Sequence, residues 1–148
     1  MGCDIHLSYQ RCVAGRWYDV PVPNGDYGLP LNYHSYGLFG FLADVRNYSR
    51  VPPIAEPRGL PIDFTVREDT YVGDHSFSWL SINELLAYDY DQPFEDRRVM
   101  RDNNGGALAG PGEGKMTTLR DFLGDSYFDD LQTMVGAGVE RIVFGFDS

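Results

Sequence analysis

Two arginines and two histidines stand where an otherwise acidic chain would hold an anion. Arg46 closes the run Tyr36-Gly-Leu-Phe-Gly-Phe-Leu-Ala-Asp-Val-Arg46-Asn47, and Arg58 is set between prolines in Pro57-Arg58-Gly59-Leu60-Pro61. His6 falls in an alternating N-terminal segment, and His75 in Asp74-His75-Ser76-Phe77-Ser78-Trp79. Guanidinium groups grip phosphate or carboxylate in a two-pronged fork, and imidazole exchanges protons near neutrality. The chemistry implied is recognition of a small anion. With ten Tyr and nine Phe to stack on bases, a nucleotide-derived ligand fits best.

Each candidate also has a plain structural reading. Asp4, His6 and Ser8 share one strand face at roughly 7 Å spacing. His6 is then an acid/base group with Asp4 fixing its tautomer, or part of a sheet face covered by a helix. His75, Ser76 and Ser78 precede a capped helix, where hydroxyls and free N–H groups bind anions; the alternative is an elaborate N-cap with Trp79 as core anchor. A stiff loop pre-organises Arg58 for a ligand, unless Asp44, Glu56 or another carboxylate ties that loop down. Arg46 either faces a ligand or clamps its helix through a salt bridge. On the ligand reading, Arg58→Ala abolishes binding and leaves the melting temperature nearly unchanged.

The 148 residues suit a single domain spanning 1–148, and 43% hydrophobic content supplies a core. A net charge of -10 argues against a long nucleic-acid footprint. There is no signal peptide and no run long enough to span a membrane, so a cytoplasmic setting is expected. Cys3 and Cys12, nine residues apart on one strand, are too distant to pair and are expected as free thiols. No ligand pair has zinc-site spacing, and the glycine-rich stretches at 103–106 and 110–112 lack the Lys-Ser/Thr of a phosphate loop, so neither metal nor cofactor is expected.

Period-two alternation over 3–12 predicts a strand, with Trp17–Val20 returning as a hairpin. A stripe of Leu38, Phe41, Leu42 and Val45 predicts a helix over 37–47, with Gly40, Ala43 and Asn47 on a small-residue face. Residues 48–74 read as an irregular, proline-rich segment. Ser81-Ile-Asn-Glu84 is a capping box opening a second helix. Residues 93–114 read as polar loop with a short strand near 98–100. A third helix from Thr118, kinked near Gly124, leads to a terminal strand at 139–146. The sum is an α+β fold: a small mixed or antiparallel sheet built on the N-terminal hairpin and the C-terminal strand, with about three helices and long ordered loops.

Several runs together resemble a family of uncharacterised bacteriophage proteins. They are Met1-Gly-Cys-Asp-Ile-His6, Leu38-Phe39…Leu42-Ala-Asp-Val-Arg-Asn47, Ile54-Ala-Glu-Pro-Arg-Gly-Leu-Pro61, Asp74-His-Ser-Phe-Ser-Trp-Leu80 and Arg141-Ile-Val-Phe-Gly-Phe-Asp147. Members often carry a second His where this chain has Phe77. The resemblance implies a phage origin and a host-cytoplasm setting during infection, and no reaction. The leading expectation is a sponge-type inhibitor, commonly oligomeric, that binds a nucleotide-derived immune signal through Arg46, Arg58, His75, Ser76 and Ser78, with Asp4 and His6 behind them. The alternatives are a phosphodiesterase using His6 and His75 on a cyclic nucleotide, and an acidic protein that docks on a basic host enzyme.

Overall fold

A computed structural model describes residues 2–65, 71–101 and 105–148, with the backbone alone for 99–101 and 105–107. Among the described residues the elements run β1 (Asp4–Val13), β2 (Arg16–Asp19), α1 (Tyr36–Ala43), β3 (His75–Ser81), α2 (Ile82–Ala87), β4 (Pro93–Asp96), β5 (Arg98–Arg101), β6 (Gly105–Leu108), β7 (Lys115–Thr118), α3 (Leu119–Gly136) and β8 (Arg141–Asp147). Four strands form an open antiparallel sheet in the order β2-β1-β8-β3, and β4-β7 and β5-β6 form two-stranded ribbons. The fold is α+β. The chain divides into two compact units, one of Met1–His34, Pro57–Tyr88 and Ser126–Ser148, the other of Ser35–Glu56 and Asp89–Asp125.

The first unit is organised by β1 and β8, paired from Asp4↔Asp147 to Gln10↔Arg141. Alternation sends Ile5 and Tyr9, with Ile142, Phe144 and Phe146, into the core, where all five are buried. Each such aromatic or aliphatic side chain contributes about 1.5–3 kcal/mol on leaving water. The other face of β1 is polar, exposed at Asp4, half-buried at His6 and buried at Ser8 and Gln10. Arg141, only 5% exposed, lies 3.8 Å from the Trp17 ring centroid, and it donates to Gln10 Oε1 at 2.9 Å and Asp63 Oδ1 at 3.1 Å. Both cysteines are free thiols.

The strand β3 departs from the sequence expectation of a segment leading directly into a helix. Residues 75–81 pair antiparallel with β8, with a bulge between His75 and Ser78 where Ser76 takes φ 55°. The bulge breaks the two-residue period, which hid the strand from pattern reading. The capping box does form: Ser81 Oγ accepts the Glu84 N–H at 3.0 Å and starts α2. Gly124, at φ 80° and ψ 171°, interrupts α3 as expected.

In the second unit, α1 stops at Ala43 rather than reaching 47. Asp44 turns left-handed at φ 57° and its N–H caps the Gly40 carbonyl. Asn47 then folds back: its Nδ2 donates to Asp44 Oδ1 and to the Val51 carbonyl, both at 2.8 Å, and its Oδ1 accepts the Val51 N–H at 3.0 Å. Gly40 leaves the room, since a Cβ there would meet Asn47 Oδ1 at 2.6 Å. Asn47→Ala strands both Val51 backbone groups and should cost about 2 kcal/mol, read by chemical denaturation. The ribbons β4-β7 and β5-β6 occupy most of what the sequence presents as loop, with Phe94 edge-on to Phe122 at 5.0 Å.

Candidate functional site

Antiparallel pairing sets Asp147 directly across from Asp4, with His6 two residues further along the same face. His6 Nε2 and Asp147 Oδ2 are 2.6 Å apart, their side chains about one-third exposed at 30% and 35%. The Asp4 N–H donates to the other Asp147 oxygen at 3.3 Å. The bond from His6 holds the Asp147 carboxyl below the usual aspartate range, aided by the Asp4 N–H and by the charges of His6 and His75. This corrects the expectation that Asp4 fixes the His6 tautomer. Asp147 is the diagonal cross-strand neighbour of His6, since Gly145 stands directly opposite it, and at such separations of about 7–8 Å long side chains still meet. Asp4 instead accepts or shares a proton with His34 Nδ1 at 3.1 Å.

Other polar groups close on the same sheet end. The Tyr71 ring centroid lies 4.9 Å from that of His6, and the Tyr71 hydroxyl donates to Asp74 Oδ1 at 2.8 Å, which raises its phenol above the ordinary tyrosine value. His75 stands in register with Phe146, next to Asp147, with Nδ1 at 3.0 Å from Ser76 Oγ and Nε2 at 3.1 Å from Ser148 Oγ. The structure therefore joins His6 to Asp147 and Asp4 to His34, whereas His75 is in register with Phe146, one position along β8 from Asp147, and meets Ser76 and Ser148 instead. It adds His34, Tyr71 and Asp147, which sequence reasoning missed. Alternation marks Asp147 as exposed-face, but no local signal tells which strand it meets.

Ser78 and Arg58 serve a different purpose. Ser78 is 1% exposed, and its hydroxyl accepts the Arg58 N–H at 3.0 Å. The Arg58 guanidinium makes a two-pronged pair with Glu84 at 3.0 and 2.6 Å, donates to the Trp79 carbonyl at 3.2 Å, and lies 4.8 Å from the Trp79 ring centroid. The carboxylate that ties the loop down is Glu84, neither Asp44 nor Glu56. Arg58 is thereby a clamp joining the 57–61 loop to β3 and α2. The expected anion site at a helix N-terminus does not form, because His75, Ser76 and Ser78 lie on β3 and the capping box closes the start of α2.

Arg46 belongs to the second unit. Its guanidinium carbon lies 5.7 Å from the Tyr36 ring centroid, and Arg98 lies 5.8 Å from the centroids of both Tyr36 and Tyr48. Arg46 also donates to the Tyr48 hydroxyl at 3.5 Å, and Tyr48 remains 44% exposed. Two cations over two phenol rings present donors and a flat aromatic face on one surface. Arg98, Tyr36 and Tyr48 carried no spacing signal, since the Arg97-Arg98 pair is remote in sequence from Arg46.

A cleft of about 250 Å³ in the first unit is lined by Gln10, Trp17, Tyr18, Asp19, Asp63, Phe64 and Thr65, and it contains none of the sequence-predicted site residues. The candidate residues lie outside it. Among the described residues no group of three or more His, Cys, Asp or Glu is placed to hold a metal ion, and no helix is long and apolar enough to cross a membrane. These features define an α+β protein with a histidine–carboxylate cluster in one unit and an arginine–tyrosine surface in the other. Compared with protein-family models, curated proteins and solved structures, the chain matches none.

Proposed function

We propose that this protein binds a small nucleotide-derived anion and holds it intact, acting as a sponge-type inhibitor of a bacterial defence that uses such a signal. The observation that carries this reading is the placement of Arg46 and Arg98 over Tyr36 and Tyr48. Guanidinium edges suit phosphate oxygens, and an exposed phenol ring suits the face of a base. A chain of net charge -10 repels a long polyanion, yet two neighbouring arginines suffice for a short one. Arg46 keeps its place in the ligand set, whereas Arg58 leaves it. The resemblance to phage proteins supplies the setting, the host cytoplasm during infection.

The test is incubation of the purified protein with cyclic di- and oligonucleotides, followed by filtration, heat release and chromatography. Ligand depleted before heating and recovered intact afterwards is the expected result. Each lost charge-assisted contact is worth about 1.5–3 kcal/mol, so the double variant Arg46→Ala/Arg98→Ala should bind at least about 100-fold more weakly. Light scattering on the loaded protein reads the oligomeric state. No depletion with any of these ligands would overturn the reading and favour an acidic surface that docks on a basic protein.

A further inference from the structure

The cleft of the first unit lies on the polar face of the sheet and is lined for a cation. Across one row of strands Asp19 stands opposite Gln10, and Gln10 opposite Arg141. These side chains share that face with Trp17, two residues from Asp19 on β2. Asp63 and Phe64 supply the facing wall. Among the described residues the lining holds two carboxylates, Asp19 and Asp63, and no Lys, Arg or His. Both carboxylates are held in place: Gln10 Nε2 donates to Asp19 Oδ1 at 3.2 Å, and Arg141 Nη2 to Asp63 Oδ1 at 3.1 Å. Gln10, itself only 7% exposed, accepts the Arg141 Nε–H, so one buried hydrogen-bonded chain sets both groups. Asp63 Oδ2 takes no hydrogen bond among the described residues. A carboxylate oxygen only accepts, so that atom calls for a donor. Trp17 and Phe64 add aromatic walls, and the Arg141 guanidinium against the Trp17 ring shows that the fold already sets one cation there.

We propose that this cleft binds a small primary amine in its ammonium form, with the ammonium against Asp63 and Asp19 and the hydrocarbon body against Phe64 and Trp17. An anion is repelled by two carboxylates that line the same cleft of about 250 Å³. A neutral alcohol donates one hydrogen bond. An ammonium donates three, and each charge-assisted contact is roughly twice as strong as a neutral one. A quaternary ammonium would satisfy the rings but leave the carboxylate lone pairs without a donor. Size narrows the class further. At about 30 Å³ for each water, the ligand displaces about eight waters, which suits an amine of about that many heavy atoms and excludes a mononucleotide. The inference does not rest on nucleotide retention, whose arginine–tyrosine surface belongs to the other unit; the failure of one leaves the other standing.

The probe is 2-phenylethylamine at neutral pH, followed through the indole N–H signals of Trp17 and Trp79 by proton–nitrogen NMR. We expect a saturable shift of the Trp17 signal and none at Trp79, which lies against Arg58 instead. The neutral isostere 2-phenylethanol should bind at least about 10-fold more weakly, and phenylacetate should leave the Trp17 signal in place. Asp63→Asn should weaken amine binding by about 10-fold or more and bring amine and alcohol closer together. That variant also loosens buried Arg141, so Asp19→Asn gives a second reading at an exposed position, where the amide oxygen still accepts from Gln10 and affinity should fall about 3-fold. A Trp17 signal unmoved at about 10 mM amine overturns the proposal. So does an alcohol that binds as tightly as the amine, or full amine affinity in the folded aspartate variants. If Asp63→Asn does not fold, Asp19→Asn and the amine–alcohol comparison on the native protein decide.

Discussion

Gly145→Ala is expected to destabilise the first unit by about 3 kcal/mol and to disperse the histidine cluster with it. Gly145 sits opposite His6 in the β1–β8 register, where the segment entering β3 passes closest to the sheet. A Cβ at this position would run into the Val72 carbonyl oxygen and lie 2.7 Å from the Phe77 ring. Gly73 is its counterpart, since a Cβ there would come within 2.5–2.7 Å of the Phe146 backbone at a φ of 93°. The obstacles include main-chain atoms on both sides, so no rotamer change relieves them. Together these glycines let Asp74 N–H reach the Phe146 carbonyl at 2.7 Å, which fixes where Tyr71 and His75 stand. For a chain of this size the loss corresponds to a melting temperature lower by about 6–10 °C. Thermal unfolding reads the first effect and the imidazole NMR signals of His6 and His75 read the second. An unchanged melting temperature would mean that residues 72–77 do not cross β8 this closely.

Arg58→Ala should lower stability by about 2 kcal/mol. The components are a partly exposed two-pronged ion pair with Glu84, a bond to the Trp79 carbonyl, and the stacking on the Trp79 ring. Arg58→Lys should recover only part of this, because an ammonium cannot match both Glu84 oxygens. The hydrogen bond from Arg58 lowers the Glu84 carboxyl below its ordinary value of 4.5. In the unfolded chain Glu84 therefore binds protons more readily than in the folded one. The pair's contribution is present above pH 4.5 and is lost as pH falls through the depressed folded value. The stability gap between native protein and Arg58→Ala should accordingly narrow in acid, and also shrink in high salt. Urea unfolding across pH 3–7 checks both. A variant that keeps its full stability but loses nucleotide retention would return Arg58 to the ligand set.

The α+β class, the N-terminal hairpin, the capping box at Ser81 and the break at Gly124 were all legible in the sequence. Each rests on short-range physics: a two-residue alternation, a hydroxyl three positions before a carboxylate, or a glycine free to take positive φ. Only the tertiary structure decided the partners. Asp147 lies 141 residues from His6, and no local rule chooses it over Asp4, which is two residues away. Glu84 is 26 residues from Arg58 and outcompetes nearer carboxylates because β3 and α2 bring it to the loop. β3 itself was hidden because its bulge spoils the period and its partner strand lies at the other end of the chain. Residue type and local pattern determine what a side chain is able to do, while contacts across long sequence separations depend on the assembled sheet and determine which side chains meet.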